Sequence, residues 1–228
     1  MSLFKHKQFT QAVGNAKEIN ELLRRYGVKF GIYKNGVFNE QFFPFDPIPM
    51  VISAEDFGSI EKGLVQRVNA LNEFLFDIYH DKNIVKDGII PEDFIYISKG
   101  YLAQCEGITP KNNIYSHISG IDLVQAKDGT WYILEDNLRI PSGASYPLIA
   151  RELTRIAASQ SFEENDIVDN RGYAELLKET MDNANCGEIR AILTPGRYNA
   201  AYYSYLAEST GSALVQNDEL FVEDNLWR

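Results

Sequence analysis

Apolar positions recur at helical spacing in some stretches of the chain and alternate in others. From about residue 8 to 25, Ala12, Ile19, Leu22 and Leu23 fall on one side of a helix that Gly27 stops. "VKFGIYKNGVFNEQFFPFD" follows and reads as two short strands around Asn35-Gly36, a strong hairpin turn signal. Ser53 precedes Asp56 by three residues, a cap signature that opens a helix running to about Tyr79, with Ile60, Leu64, Val68, Leu71 and Leu75 on one side. Residues 94–98, 114–125 and 130–138 read as strands. Ser145 is placed to cap a helix over about 146–158, with Pro147 tolerated in its first turn.

After the polar stretch "SQSFEENDIVDNRG" the pattern changes to helix 173–183, strand 189–194, helix 199–209 and strand 213–216. Helix and strand in alternation predict a parallel α/β unit with strands 189–194 and 213–216 side by side. The expected organisation is therefore α+β / α/β, with one domain over residues 1–165 and a second over 166–228. Such a short α/β unit cannot cover its own sheet, so the ending reads as a truncation, open to self-association or to a second polypeptide.

The chemistry lies in the segment "SGIDLVQAKDGTWYILEDNLRIPSG". Asp128-Gly129 is a favoured two-residue hairpin turn. With that turn Lys127 faces Thr130, and Asp122 faces Glu135. Glu135 and Asn137 share a face by the two-residue period of a strand, while Asp136 points to the other side. Asp122, Glu135 and Asn137 then form one patch. Arg139 keeps the same parity if the strand continues. Facing carboxylates repel, and a hard cation removes the conflict. Mg²⁺ prefers one or two carboxylates, an oxygen such as an amide carbonyl, waters and phosphates. By spacing alone a solvent-facing hairpin with charged cross-strand neighbours stands beside this reading, although Asp opposite Glu is a poor choice for such a surface. His117 falls on the opposite parity to Asp122, and no zinc-like spacing of His or Cys is present.

The composition is that of an ordinary globular chain, with 45% hydrophobic and 24% charged residues. A net charge of -10 argues against a general nucleic-acid or anionic-membrane surface. Cys105 and Cys186 lie far apart, which suits reduced thiols and a cytoplasmic location. "MSLFKHKQF" lacks the apolar run of a signal peptide, and no stretch has the length of a membrane span.

"FPFDPIP", "GLVQRVNALNEFLFDIY", "GIDLV…DGTWYILEDNLRIPSGASY" and "LTPGRYNAAYY", in that order, resemble the circularly permuted ATP-grasp family, type 2, relatives of glutathionylspermidine-synthase-like ligases. The resemblance covers about residues 26–223 and is to the first half of such proteins. It implies a partial ATP-grasp lobe followed by an incomplete Rossmann-like unit. It implies ATP and Mg²⁺ as cofactors and small-molecule or peptide carboxylate and amine substrates joined through an acyl phosphate. It also implies Asp122, Glu135 and Asn137 as metal ligands, with Arg139, Ser142 and Gly143 as phosphate or substrate contacts and Arg67 as a further cationic candidate. The chain departs from the family pattern at Met50 and Gln125, where Arg is usual, and at Ile149-Ala150-Arg151, where an Asn-containing stretch is usual. The competing expectation is a non-catalytic Mg²⁺- and nucleotide-binding half-domain that requires a partner.

Overall fold

The computed structural model describes residues 16–25, 27–43, 45–46, 50–141, 143–157, 159–164, 166–184, 187–194, 201–223 and 226–227. It is a mixed helix-and-strand structure whose sheets are all two-stranded among the described residues. In chain order the helices are α1 (Ala16–Arg25), α2 (Ala54–Tyr79), α3 (Asn83–Lys86), α4 (Glu92–Tyr96), α5 (Ser145–Ala157), α6 (Ser159–Glu164), α7 (Tyr173–Ala184) and α8 (Ala201–Thr210). The strands are β1 (Lys29–Lys34), β2 (Val37–Phe42), β3 (Gly120–Gln125), β4 (Trp131–Asn137), β5 (Ala191–Leu193), β6 (Ala213–Val215), β7 (Val222–Glu223) and β8 (Leu226–Trp227).

The chain forms two compact units, Met1–Met50 with Ser142–Arg228, and Val51–Pro141. This division differs from the composition change expected to separate residues 1–165 from 166–228. α5, before the polar stretch, packs on α8, after it, within the first of these units.

In the first unit α1 lays Ile19 and Leu23 against Val28 and Leu153 of α5, and Leu22, Phe43, Phe45, Tyr146 and Ile149 close around them. Phe43 stacks on Tyr146 at 4.8 Å, and the Tyr146 hydroxyl donates to the Lys29 carbonyl at 2.9 Å. The β1–β2 turn falls on Asn35-Gly36 as the sequence predicts, with φ of 54° and 77°. Both angles lie in the left-handed region that this turn demands. β5 and β6 run parallel, with α8 between them in sequence, as expected. Ser145 does not cap α5: it is the first helical residue, fully buried, and its Oγ has no hydrogen-bond partner among the described residues.

In the second unit Ser53 caps α2, its Oγ accepting from Asp56 N at 3.0 Å. The strand expected at 94–98 is instead α4. Pro91 leads into it, and Glu92 and Asp93 sit in its first turn, where the helix dipole favours acids. The expected strand 114–125 begins only at Gly120. Asn72 Oδ1 takes the N–H groups of Tyr115 and Ser116 at 2.8 and 3.0 Å, so those donors bond a side chain and not a ladder.

Asp77 turns the chain from α2 into α3. Burial pushes its carboxyl up, but the N–H groups of Ile84 and Asn83, at 2.9 and 2.8 Å, outweigh that and hold it below the usual range. A depressed carboxyl contributes stability that is present above its unfolded value, about 3.9, and is lost as pH falls through the folded value. Asp77→Asn is therefore expected to flatten the acid limb of stability. Urea unfolding at about pH 6 and about pH 3 checks this, with the gap between wild type and variant closing at the lower pH.

Candidate functional site

The β3–β4 hairpin brings Asp122 opposite Glu135, as the sequence predicts, but by a different route. The turn is longer than expected. Ala126 N–H donates to Thr130 O at 2.8 Å and Gly129 N–H to Ala126 O at 3.0 Å, so three residues loop out. Gly129 takes φ +90°, a conformation that suits glycine. Asp128 accepts from Thr130 N at 3.0 Å, which holds its carboxyl below the ordinary range. That loop alone would place Asp122 across from Leu134. Leu123 faces Ile133 while Asp122 faces Glu135, so Leu134 is an extra residue in β4. This bulge shifts the register back by one and puts the two carboxylates face to face.

Asp122, Glu135 and Asn137 are all exposed. Asn137 Nδ2 donates to Glu135 Oε1 at 3.0 Å, which places those two side chains together on one face. Among the described residues neither Asp122 nor Glu135 forms an ion pair with a cationic side chain. Two carboxylates and an amide, facing and uncompensated, are a donor set that fits a hard divalent cation. Groups of three or more His, Cys, Asp or Glu able to hold a metal are absent among the described residues. The third donor here is an amide.

Opposite Asn137 stands Gly120. A Cβ there would meet Pro141 Cβ at 3.0 Å and Asn137 Cβ at 3.4 Å. The missing side chain lets Pro141 fold over the strand beside Asn137. Gly120→Ala is expected to displace Asn137 and to cost about 1–3 kcal/mol by overpacking. Urea unfolding measures the cost, and a crystal structure of the variant measures the displacement.

Asp136 lies on the back of β4. Arg67 of α2 donates to it twice, Nε to Oδ1 at 2.6 Å and Nη2 to Oδ2 at 2.5 Å. Those bonds hold the Asp136 carboxyl below the usual range and raise Arg67. Arg67 is thus engaged in an intramolecular pair on the face away from Asp122 and Glu135. Arg139 is exposed, but β4 ends at Asn137, so strand parity does not extend to it. Gly143 is exposed and its carbonyl accepts from Tyr146 N at 3.1 Å; it belongs to the other compact unit. Ser142 lies outside the described residues. A cavity of about 470 Å³ in that other unit, between α5 and α8, contains none of the expected site residues.

The bulge at Leu134, the grip of Asn72 on residues 115–116 and the space at Gly120 are features that the sequence pattern does not predict. Only Gly120 carried a signal, an isolated glycine entering a strand, which marks a close approach. Nothing in the local pattern singles out Asn72.

The profile of the circularly permuted ATP-grasp type 2 family matches residues 49–227, a span that includes the whole hairpin and most of the chain. The chain belongs to this family. Among relatives, it is 42% identical over 204 residues to an uncharacterized protein of Synechocystis sp., covering 87% of this chain and 42% of the relative. It is 38% identical over 192 residues to an uncharacterized protein of Mycobacterium tuberculosis, covering 82% of this chain and 35% of the relative. It is 38% identical over 190 residues to a Frankia casuarinae protein named "Putative glutamate--cysteine ligase 2-2", covering 80% of this chain and 22% of the relative. The chain spans less than half the length of these curated relatives. Among the described residues no helix is long and apolar enough to cross a membrane.

Proposed function

We propose that this chain carries the Mg²⁺- and ATP-binding hairpin of a ligase that joins a carboxylate to an amine through an acyl phosphate. The observation that supports this most is the facing pair Asp122 and Glu135, with Asn137 on the same side and no cationic partner among the described residues. Membership of an ATP-grasp family supports ATP and Mg²⁺ as the cofactors. A relative named as a glutamate–cysteine ligase supports peptide-bond-type chemistry.

In such a reaction an oxygen of the acid attacks the γ-phosphorus of ATP, and the bond to the β–γ bridging oxygen breaks to release ADP. The amine nitrogen then attacks the acyl carbon, phosphate leaves and the amine proton passes to solvent or a base. Mg²⁺ supplies charge neutralisation at the phosphates. The chain's own residues orient and neutralise. Asp122, Glu135 and Asn137 would hold the ion, and the exposed guanidinium of Arg139 is available to phosphate oxygens. Ser142 and Gly143, ahead of α5, are proposed as phosphate or substrate contacts. No covalent protein nucleophile is required. The free thiol of Cys105 supports a cytoplasmic setting.

A second reading is a Mg²⁺- and nucleotide-binding module that completes its site only with further polypeptide, either a second-half chain or another copy. The exposure of Val124, Tyr132, Ile133 and Leu134 on a two-stranded hairpin favours it, since such a hairpin is marginal in water without a covering layer. Calorimetric titration of the purified chain with ATP, with and without Mg²⁺, tests the shared claim. Mg²⁺ is expected to tighten ATP binding; no Mg²⁺-dependent binding at millimolar ligand removes the site from the isolated chain. ADP release that depends on added acid and amine separates the ligase from the module.

A further inference from the structure

We propose that Asp136 and Arg67 are positioning residues for the metal-binding face: their ion pair on the back of β4 sets the rotation of the strand that presents Glu135 and Asn137 on its front. The inference rests on the metal reading given above and extends it to side chains that touch neither metal nor nucleotide.

Asp136 stands between Glu135 and Asn137, so strand alternation sends its side chain to the opposite face. One guanidinium meets its carboxylate through two bonds, at 2.6 and 2.5 Å. A two-point contact fixes the plane of the carboxylate as well as its distance, which a single ammonium contact cannot do.

The bulge makes such a contact necessary. The β3–β4 register breaks between Asp122 and Leu123, so the ladder loosens immediately beside Glu135. A bulged strand bends and twists locally, and hydrogen bonds alone then hold Glu135 less firmly. Two facing carboxylates also repel and favour splaying of the strands until a cation binds. The Arg67 clamp, one residue beyond Glu135, opposes both effects from behind.

The same helix holds the other strand. Asn72, also on α2, takes the N–H groups of Tyr115 and Ser116 ahead of β3. Ser116 Oγ lies 3.2 Å from the carbonyl of Leu138, just past the end of β4. The base of the hairpin is therefore tied to α2 through both strands.

The test uses the full chain, with ATP titrated calorimetrically in the presence and absence of Mg²⁺, beside thermal melts. Asp136→Asn keeps the shape and loses the charge. Arg67→Lys keeps the charge and loses the fork. Each is expected to lower the Mg²⁺-dependent gain in ATP affinity by about tenfold, the scale on which partners behind a metal ligand act, and to leave Mg²⁺-free ATP binding unchanged. The double exchange, Arg67→Asp with Asp136→Arg, is expected to recover part of the gain. Variants that melt earlier yet keep the full wild-type gain would show the pair to be structural only, and would overturn the proposal while sparing the metal site. A wild-type chain with no Mg²⁺-dependent gain would overturn the metal reading itself, and the positioning role with it. The two failures are distinct, because the second appears before any substitution is made.

Discussion

Glu135→Gln is expected to abolish the Mg²⁺-dependence of ATP binding and to leave the fold intact. The substitution removes one charge at nearly constant volume. Glutamine retains an oxygen able to accept the Asn137 Nδ2–H that Glu135 Oε1 accepts at 3.0 Å. What it removes is half of the anionic pair that a hard cation requires. Metal and nucleotide bound at one site assist each other reciprocally, with coupling factors on the order of five- to 150-fold, and the variant is expected to lose that factor. Its thermal midpoint should hold or rise, because Asp122 no longer faces a like charge across the strands. A structural ion pair behaves in the opposite way: its loss lowers the midpoint. Calorimetric ATP titrations with and without Mg²⁺, together with melts of both proteins, separate the two cases.

Leu153→Ala is expected to destabilise the first unit by about 2–5 kcal/mol, the range for truncating a fully buried leucine. Leu153 is 1% exposed and closes on Ile19, Leu23 and Val28, which come from the start of the described chain. The contact thus joins segments far apart in sequence, and surrounding side chains such as Phe43 and Tyr146 are already stacked and little free to collapse into the space. A fall in the urea midpoint without a change in slope is the expected readout. A loss below about 1 kcal/mol would show that Leu153 does not hold this core together.

Elements set by local chemistry were legible in the sequence. The Asn35-Gly36 turn, the Ser53 cap and the span of α2 need only neighbouring residues, and the structure has them where the pattern put them. The parallel β5–β6 pair followed from helix and strand alternation. The facing of Asp122 and Glu135 was legible only through two offsetting features, a turn one residue longer and a bulge one residue deep. Neither has a residue signature strong enough to choose it over the two-residue turn. Segments 94–98 and 114–119 carry β-branched and aromatic residues but are not strands, because Pro91 with its acidic followers and the distant Asn72 claim their backbone groups. Partnership of that kind is tertiary. The same holds for Arg67: its helix was readable, whereas its bonding to Asp136 depends on how that helix meets β4.

The most direct measurement is a crystal structure of the chain grown with Mg²⁺ and a non-hydrolysable ATP analogue. The expected result is a metal ion whose oxygen ligands, at about 2.0–2.1 Å, include Asp122, Glu135 and the Asn137 amide oxygen, with analogue phosphates completing the shell and Asp136 still bonded to Arg67 behind the strand. A Mg²⁺–nucleotide complex bound elsewhere, with those three side chains left in water, would contradict it.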